Sequence, residues 1–175
     1  MTLERGLIQV YTGPGKGKTT AALGLAFRAA GQDLKVHIIQ FMKGWSDYGE
    51  LVSVEKLPNI TLQQFGRPEF VDKDKPDPED IRQAHLALDH ARQIVTGGQH
   101  DIVILDEINV AVDFKLIGLA DVLGLLDARP EKVELVLTGR RAHPEVVKLA
   151  DLVTEMLDIK HPYTEGVMGR KGIEY

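Results

Sequence analysis

Cysteine is absent from all 175 residues, which rules out a disulfide framework, a thiolate zinc site and a cysteine nucleophile. A reducing, cytoplasmic setting is expected. Nor does basic charge predominate: 21 Lys and Arg face 26 Asp and Glu, a formal net charge of −5 with the signs interspersed. That balance argues against a nucleic-acid binder working through a basic face, and leaves small molecules or protein as partners. No apolar run approaches the roughly 20 residues that span a bilayer, so no membrane partner is expected. The lead Met1–Gly6 runs straight into a strand-like segment, leaving no room for the apolar core of a signal peptide.

What is present fits one domain, 1–175, of a size that buries a real core, with 43% hydrophobic residues. Leu7–Tyr11 reads as a strand ending in glycines, and Lys18–Ala30 as an alanine-rich helix stopped by Gly31. Val36–Phe41 and Ile60–Phe65 are the next strands. After them, "GRPEFVDKDKPDPED" reads as a long, functional surface loop. Asp77 caps a helix whose apolar face is Ile81, Ala84, Leu88, Ala91 and Val95, ending at Gly97-Gly98. Asp101–Leu105 is a continuous β-branched run and therefore central. A helix near Leu116–Asp127, a strand Val133–Leu137, a helix Pro144–Ala150 and a strand Leu152–Met156 complete the series. Alternation of this kind predicts an α/β fold of three layers: a mostly parallel sheet with helices on both faces, of the RecA-like P-loop NTPase architecture.

Ligands of such sheets bind at the carboxyl ends of the strands, where three polar clusters fall. The first is "TGPGKGKTT", a phosphate loop whose glycines turn backbone N–H groups inward at a helix N-terminus. Gly13, Pro14, Gly15, Lys16, Gly17, Lys18, Thr19 and Thr20 form it, with Lys18 reaching phosphate oxygens and the Thr19 hydroxyl reaching Mg²⁺. Its register is unusual. Counting back from Gly17-Lys18-Thr19 puts Thr12 where the common G-x-x-x-x-G-K-[ST] pattern has glycine. The second cluster, "DIVILDE", is an apolar strand delivering Asp106 and Glu107. Extended backbone would point these two carboxylates to opposite sides, one to the metal and one to water or a supporting donor. In the third, Arg140 and Arg141 follow a strand and could grip phosphate or carboxylate, or be a solvated turn. Trp45, Tyr48, Phe65 and Phe70 lie in or beside the two long loops, as lids, local packing or substrate contacts. His37 reads as a core residue. The tail, about residues 158–175, carries Tyr163, Val167, Met168, Ile173 and Tyr175 and is expected to fold over the site or the partner subunit.

The segments "TGPGKGKTTAALGLAFRAAG", "QFMKG", "DIVILDE", "LLDARP", "LTGR" and "GIEY" together resemble the P-loop type of ATP:corrinoid adenosyltransferase, over essentially the whole chain. The late-starting loop, Gly13–Thr19, is characteristic of that family. The resemblance implies that ATP lies reversed, so that the loop cradles the triphosphate as a leaving group. The cobalt of a reduced Co(I) corrinoid then attacks the ribose 5′-carbon and tripolyphosphate departs. It also implies phosphate contacts from Gly13–Thr20 and Arg140, and Mg²⁺, with Mn²⁺ as an alternative, at Thr19 and Glu107, Asp106 acting indirectly. Lys18 and Glu107 are the implied catalytic groups. Trp45 and Phe70 are the implied corrinoid contacts, although "GRPEFV" departs from the Gly-Phe-Thr-Trp of longer members. A homodimer and a transient electron-donating reductase are the implied partners. The same loop and Glu107 also fit a hydrolytic or kinase-like ATPase, or a module that binds without turnover.

Overall fold

Residues 3–175 are described by a computed structural model; Met1 and Thr2, the start of the N-terminal lead, lie outside the described part. The β-branched and aliphatic runs form six strands: β1 Ile8–Thr12, β2 Val36–Phe41, β3 Ile60–Phe65, β4 Ile102–Asp106, β5 Glu134–Thr138 and β6 Leu152–Glu155. They make one sheet of order β3-β2-β4-β5-β1-β6, parallel at every pairing. β4 lies inside it, as its unbroken apolar sequence requires.

Alternation along the strands sorts side chains to two cores. Ile102 and Ile104 join Val36, Ile38 and Val136 under α1, Lys18–Ala30, and beside α2, Gly49–Val54. Val103 and Leu105 join Ile39, Phe41, Leu135 and Leu137 on the other face. That face is covered by α3 Pro78–Thr96, α4 Ile108–Asp113, α5 Leu119–Asp127 and α6 Pro144–Leu149. The three-layer expectation therefore holds. Asp77 caps α3 in a reciprocal box with Asp80, as its sequence indicated. Among the described residues no helix is long and apolar enough to cross a membrane.

Two local expectations need correction. α2 and α4 are six residues each, too short to show a helical period, and are not among the helices expected from the sequence. Ile81, expected on the buried face of α3, is 37% exposed, because it sits in the first turn before the helix reaches the sheet. In the single chain, Tyr163, Val167, Met168 and Ile173 of the tail are exposed.

At the amino ends of the strands, away from the phosphate loop, His37 is buried. Its Nδ1 lies 2.6 Å from Thr61 Oγ1 on β3, and its Nε2 lies 2.9 Å from His90 Nε2 on α3. His100 stands 5.2 Å away between ring centroids, with Lys35 and Asp101 beside it. Burial, then the charges of His100 and His90, push the His37 pKa down from 6.5 to about 4. Between those values the unfolded chain binds a proton that the folded chain does not. The stability involved is thus complete above about pH 6.5 and is lost as pH falls through about 4. Urea unfolding at about pH 7 and about pH 4.5 should show wild type losing on the order of 2–3 kcal/mol more than His37→Gln across that interval. Equal losses would remove His37 from the account of acid sensitivity.

Candidate functional site

The phosphate loop is shaped by its contact with the end of β6. Gly15 N–H donates to Met156 O at 2.7 Å, and Met156 N–H to Thr12 O at 2.9 Å. A Cβ on Gly13 or Gly15 would stand 2.5 Å from the carbonyl oxygen of Met156 or Leu157, so neither position accepts a larger residue. Gly17, at φ 112°, turns the chain into α1. Lys18 is buried and its ammonium closes back onto Gly15 O at 2.5 Å. Burial, then the charge of Arg140, lowers its pKa, against a smaller opposite pull from Glu107 and Asp106. Pro14 and Lys16 are exposed beside the loop, and Lys16 stands 3.9 Å from Glu174 of the tail.

The polar centre of the site is Asp106, 1% exposed at the end of β4. Oδ1 accepts from Thr19 at 2.8 Å and from Thr138 at 2.6 Å. Oδ2 accepts from Lys43 at 2.7 Å and from Gln40 at 3.2 Å. Burial alone would raise this carboxyl, but the Lys43 charge and the hydrogen bonds of Lys43, Thr138 and Thr19 hold it below the usual range. The same pair raises Lys43, its burial notwithstanding.

Glu107 is not extended: at φ 66° it is left-handed and starts α4. The direct bond to Thr19 is therefore made by Asp106, while the half-buried Glu107 carboxylate takes no hydrogen bond among the described residues. Burial, then the negative charge of Asp106, raises its pKa. Arg140 is exposed and close enough to act electrostatically on Lys18 and Glu107. Arg141 points away to Asp113, at 3.1 Å.

Two cavities open at this edge. One, of about 480 Å³, runs from Thr19 and Thr20 along the groove between α1 and α2, lined by Leu23, Phe27 and Leu57. The other, of about 500 Å³, is lined by Trp45, Phe70, Met42 and Met168. Trp45 and Phe70 thus share one cavity, Trp45 being 39% exposed and Phe70 fully so. Trp45 packs on Tyr48 and on Tyr175, with ring centroids 5.6 and 4.9 Å apart. Glu174 and Tyr175 line both cavities, Ile173 the first and Met168 the second, so the last part of the tail reaches the site.

The donors present suit Mg²⁺. Thr19 hydroxyl, the Asp106 carboxylate it touches, and the unpartnered Glu107 carboxylate are all hard oxygen ligands. Among the described residues no three or more His, Cys, Asp or Glu form a metal cage, and an ion held mainly by substrate phosphates and one or two protein oxygens needs none.

Sequence reasoning assigned no role to Lys43, Gln40 or Thr138. Lys43 and Thr138 stand in the recognisable segments "QFMKG" and "LTGR", but nothing in their spacing announces that they converge on one buried carboxylate.

Residues 4–175 match the family profile of ATP:corrinoid adenosyltransferase BtuR/CobO/CobP. The chain is 36% identical over 176 residues to a corrinoid adenosyltransferase of Sinorhizobium sp, covering 99% of this chain and 82% of that one. It is 35% identical over 172 residues to the corrinoid adenosyltransferase of Pseudomonas aeruginosa, covering 98% and 85%. With that of Escherichia coli strain K12 it shares 36% over 172 residues, covering 98% and 87%.

The double role of Thr138 is open to test. Its hydroxyl donates to Asp106 and accepts the Glu107 N–H at 3.0 Å in a fully buried setting. Thr138→Val keeps the shape and removes both bonds, so urea unfolding should show a loss of about 1–3 kcal/mol. A change below about 0.5 kcal/mol would mean that the Asp106 network does not depend on it.

Proposed function

The chain belongs to the ATP:corrinoid adenosyltransferase family, and from that membership we propose how its residues transfer the 5′-deoxyadenosyl group of ATP to the cobalt of a reduced corrinoid. Such transfer, in the formation of adenosylcobalamin, is the activity of the enzyme. The observation that carries the residue assignment is a cavity starting at Thr19 and Thr20 of the phosphate loop that shares a wall with a second cavity, lined by Trp45 and Phe70.

Gly13–Thr20 hold the triphosphate through backbone N–H groups and the α1 N-terminus, with Lys18 and Arg140 neutralising its charge. On binding, Lys18 exchanges Gly15 O for phosphate oxygen. ATP lies reversed, its adenosine along the α1–α2 groove, so that C5′ faces the aromatic cavity. That cavity receives the corrinoid, with Trp45 and Phe70 against the ring. The Co(I) electron pair forms the Co–C bond, and the C5′–O bond breaks with its electrons leaving on tripolyphosphate. No general base is required, because the nucleophile has no proton to lose. Thr19, Asp106 and Glu107 would hold Mg²⁺, which supplies further neutralisation of the triphosphate. The lack of cysteine and the soluble-type composition support a cytoplasmic enzyme; homodimer formation and supply of electrons by a separate reductase complete the proposal.

An anaerobic assay with Mg-ATP and chemically reduced cob(I)alamin tests this reading. Light-sensitive alkylcobalamin and tripolyphosphate should form in equal amounts, with neither formed when corrinoid is omitted. Lys18→Ala should lower the rate by at least about 100-fold with the melting temperature little changed. ADP and phosphate released regardless of corrinoid would instead assign the loop to hydrolysis, and near-normal turnover by Lys18→Ala would overturn its phosphate role.

A further inference from the structure

Lys43 occupies a place that the foregoing assignment leaves without a function. Four side chains form a wall common to both cavities: Lys43, Tyr48, Glu174 and Tyr175. If nucleotide fills one cavity and corrinoid the other, the carbon that changes partners lies at that wall. Lys43 is the lysine lining either cavity among the described residues, and the arginine of the second, Arg67, is already held by Asp80 at 2.8 and 3.1 Å. Its ammonium carries three N–H donors. Asp106 takes one at 2.7 Å; Glu50 stands off at 3.9 Å, and the Tyr48 ring faces it at 5.1 Å. Donor capacity therefore remains for a ligand.

The backbone around Lys43 is built to keep it there. Met42 adopts φ 59°, a conformation that a non-glycine residue enters at a cost of about 1–3 kcal/mol. The residue after Lys43, Gly44, passes so close to the adjoining loop that an added Cβ would stand 2.3 Å from Gly66 O, and Lys43 N–H is bonded to Phe65 O at 3.3 Å. Thus the turn after β2 is clamped to the end of β3 with the Lys43 side chain directed inward, 13% exposed. The negative charge of Asp106 keeps the amine protonated in that position.

We propose that Lys43 is a catalytic cation at the leaving group: its ammonium, oriented by Asp106, stabilises the negative charge that develops on the α-phosphate oxygen as the C5′–O bond breaks. This rests on the adenosyl-transfer reading of the site. Lys43 neither gains nor loses a proton. Both electrons of the broken bond go to tripolyphosphate, and cobalt supplies both electrons of the new one. A preorganised charge of this kind acts more on the transition state than on bound ATP.

The absence of cysteine permits a clean test, since Lys43→Cys carries the protein's single thiol. Alkylation with 2-bromoethylamine restores a cationic side chain of lysine length, and alkylation with 1-iodopropane gives a neutral one. Both thioethers survive the reductant needed for Co(I). Transfer is followed with prereduced cob(I)alamin, Mg-ATP binding by calorimetry, and folding by thermal melting. Lys43→Cys should lose about 100-fold or more in kcat, with the KM for ATP changed less than about threefold. The aminoethyl form should recover at least about tenfold, and the propyl form should not. A variant rate within about threefold of wild type, equal recovery by both alkylations, or a loss confined to the KM for ATP would each overturn the inference. Should the unpaired Asp106 prevent Lys43→Cys from folding, the same two alkylations are compared in Lys43→Cys/Asp106→Asn, where the buried charge is gone; a cationic-to-neutral rate ratio near one there overturns it. A wild-type enzyme that forms no alkylcobalamin would overturn the underlying reading of the site, which the variant results alone do not touch.

Discussion

A carboxylate buried to 1% exposure at the end of β4 sets the terms for everything around it. Such a charge is tolerated inside a protein only when paired and hydrogen-bonded, and removing one partner typically costs about 3–5 kcal/mol. The four donors to Asp106 come from separate parts of the chain: Thr19 from α1, Gln40 from β2, Lys43 from the turn after β2, and Thr138 from β5. The requirement to satisfy one side chain therefore fixes the positions of three strand ends and of the helix that follows the phosphate loop.

Strain is concentrated at that edge. The residue immediately following each of β1 to β5 has positive φ: Gly13, Met42, Gly66, Glu107 and Gly139. Each strand thus ends in an abrupt change of direction, which keeps backbone and side chains at the edge instead of continuing the pleat. Three of these residues are glycines, for which such φ values carry no Cβ penalty. Met42 and Glu107 are the exceptions, and each adjoins a residue of the Asp106 pair, Lys43 or Asp106 itself. Backbone strain in a non-glycine residue persists only where surrounding contacts over-determine it, as the clamp at Gly44 and the Thr138 bond to Glu107 N–H do here.

The legibility of the sequence follows the range of the interactions involved. β2 and β3 could be bounded from composition alone because their β-branched runs stop at glycine, proline or polar residues, and α3 because Asp77 and Pro78 form a local cap. The phosphate loop was equally visible, its glycines and Lys18 being contiguous. α2 and α4 were not, since six residues contain fewer than two helical turns and both helices are held by what they pack against. The division of labour between Asp106 and Glu107 was hidden for another reason. It depends on one left-handed residue, Glu107, where the strand pattern leads to an assumption of extended backbone. In the tail, Tyr175 finds Trp45 while Met168 and Ile173 remain exposed in the single chain, because apolar composition does not reveal which surface covers such residues.

That uneven anchoring bears on how two bulky substrates reach one reaction centre. The wall between the cavities is half rigid and half loosely held. Lys43 and Tyr48 belong to the segment pinned between β2 and β3, whereas Glu174 and Tyr175 are held by an aromatic contact with Trp45 and an ion pair to Lys16 at 3.9 Å. Exposed ion pairs contribute about 0–1 kcal/mol, and most of the tail's apolar surface is not buried against the domain. Displacing the tail therefore costs far less than disturbing Asp106 and its partners. Segments with few buried contacts open at the lowest free energy. The polar groups around Asp106 are thus held in register by the pinned half of the wall, while the weakly held half, Glu174 and Tyr175, borders both cavities.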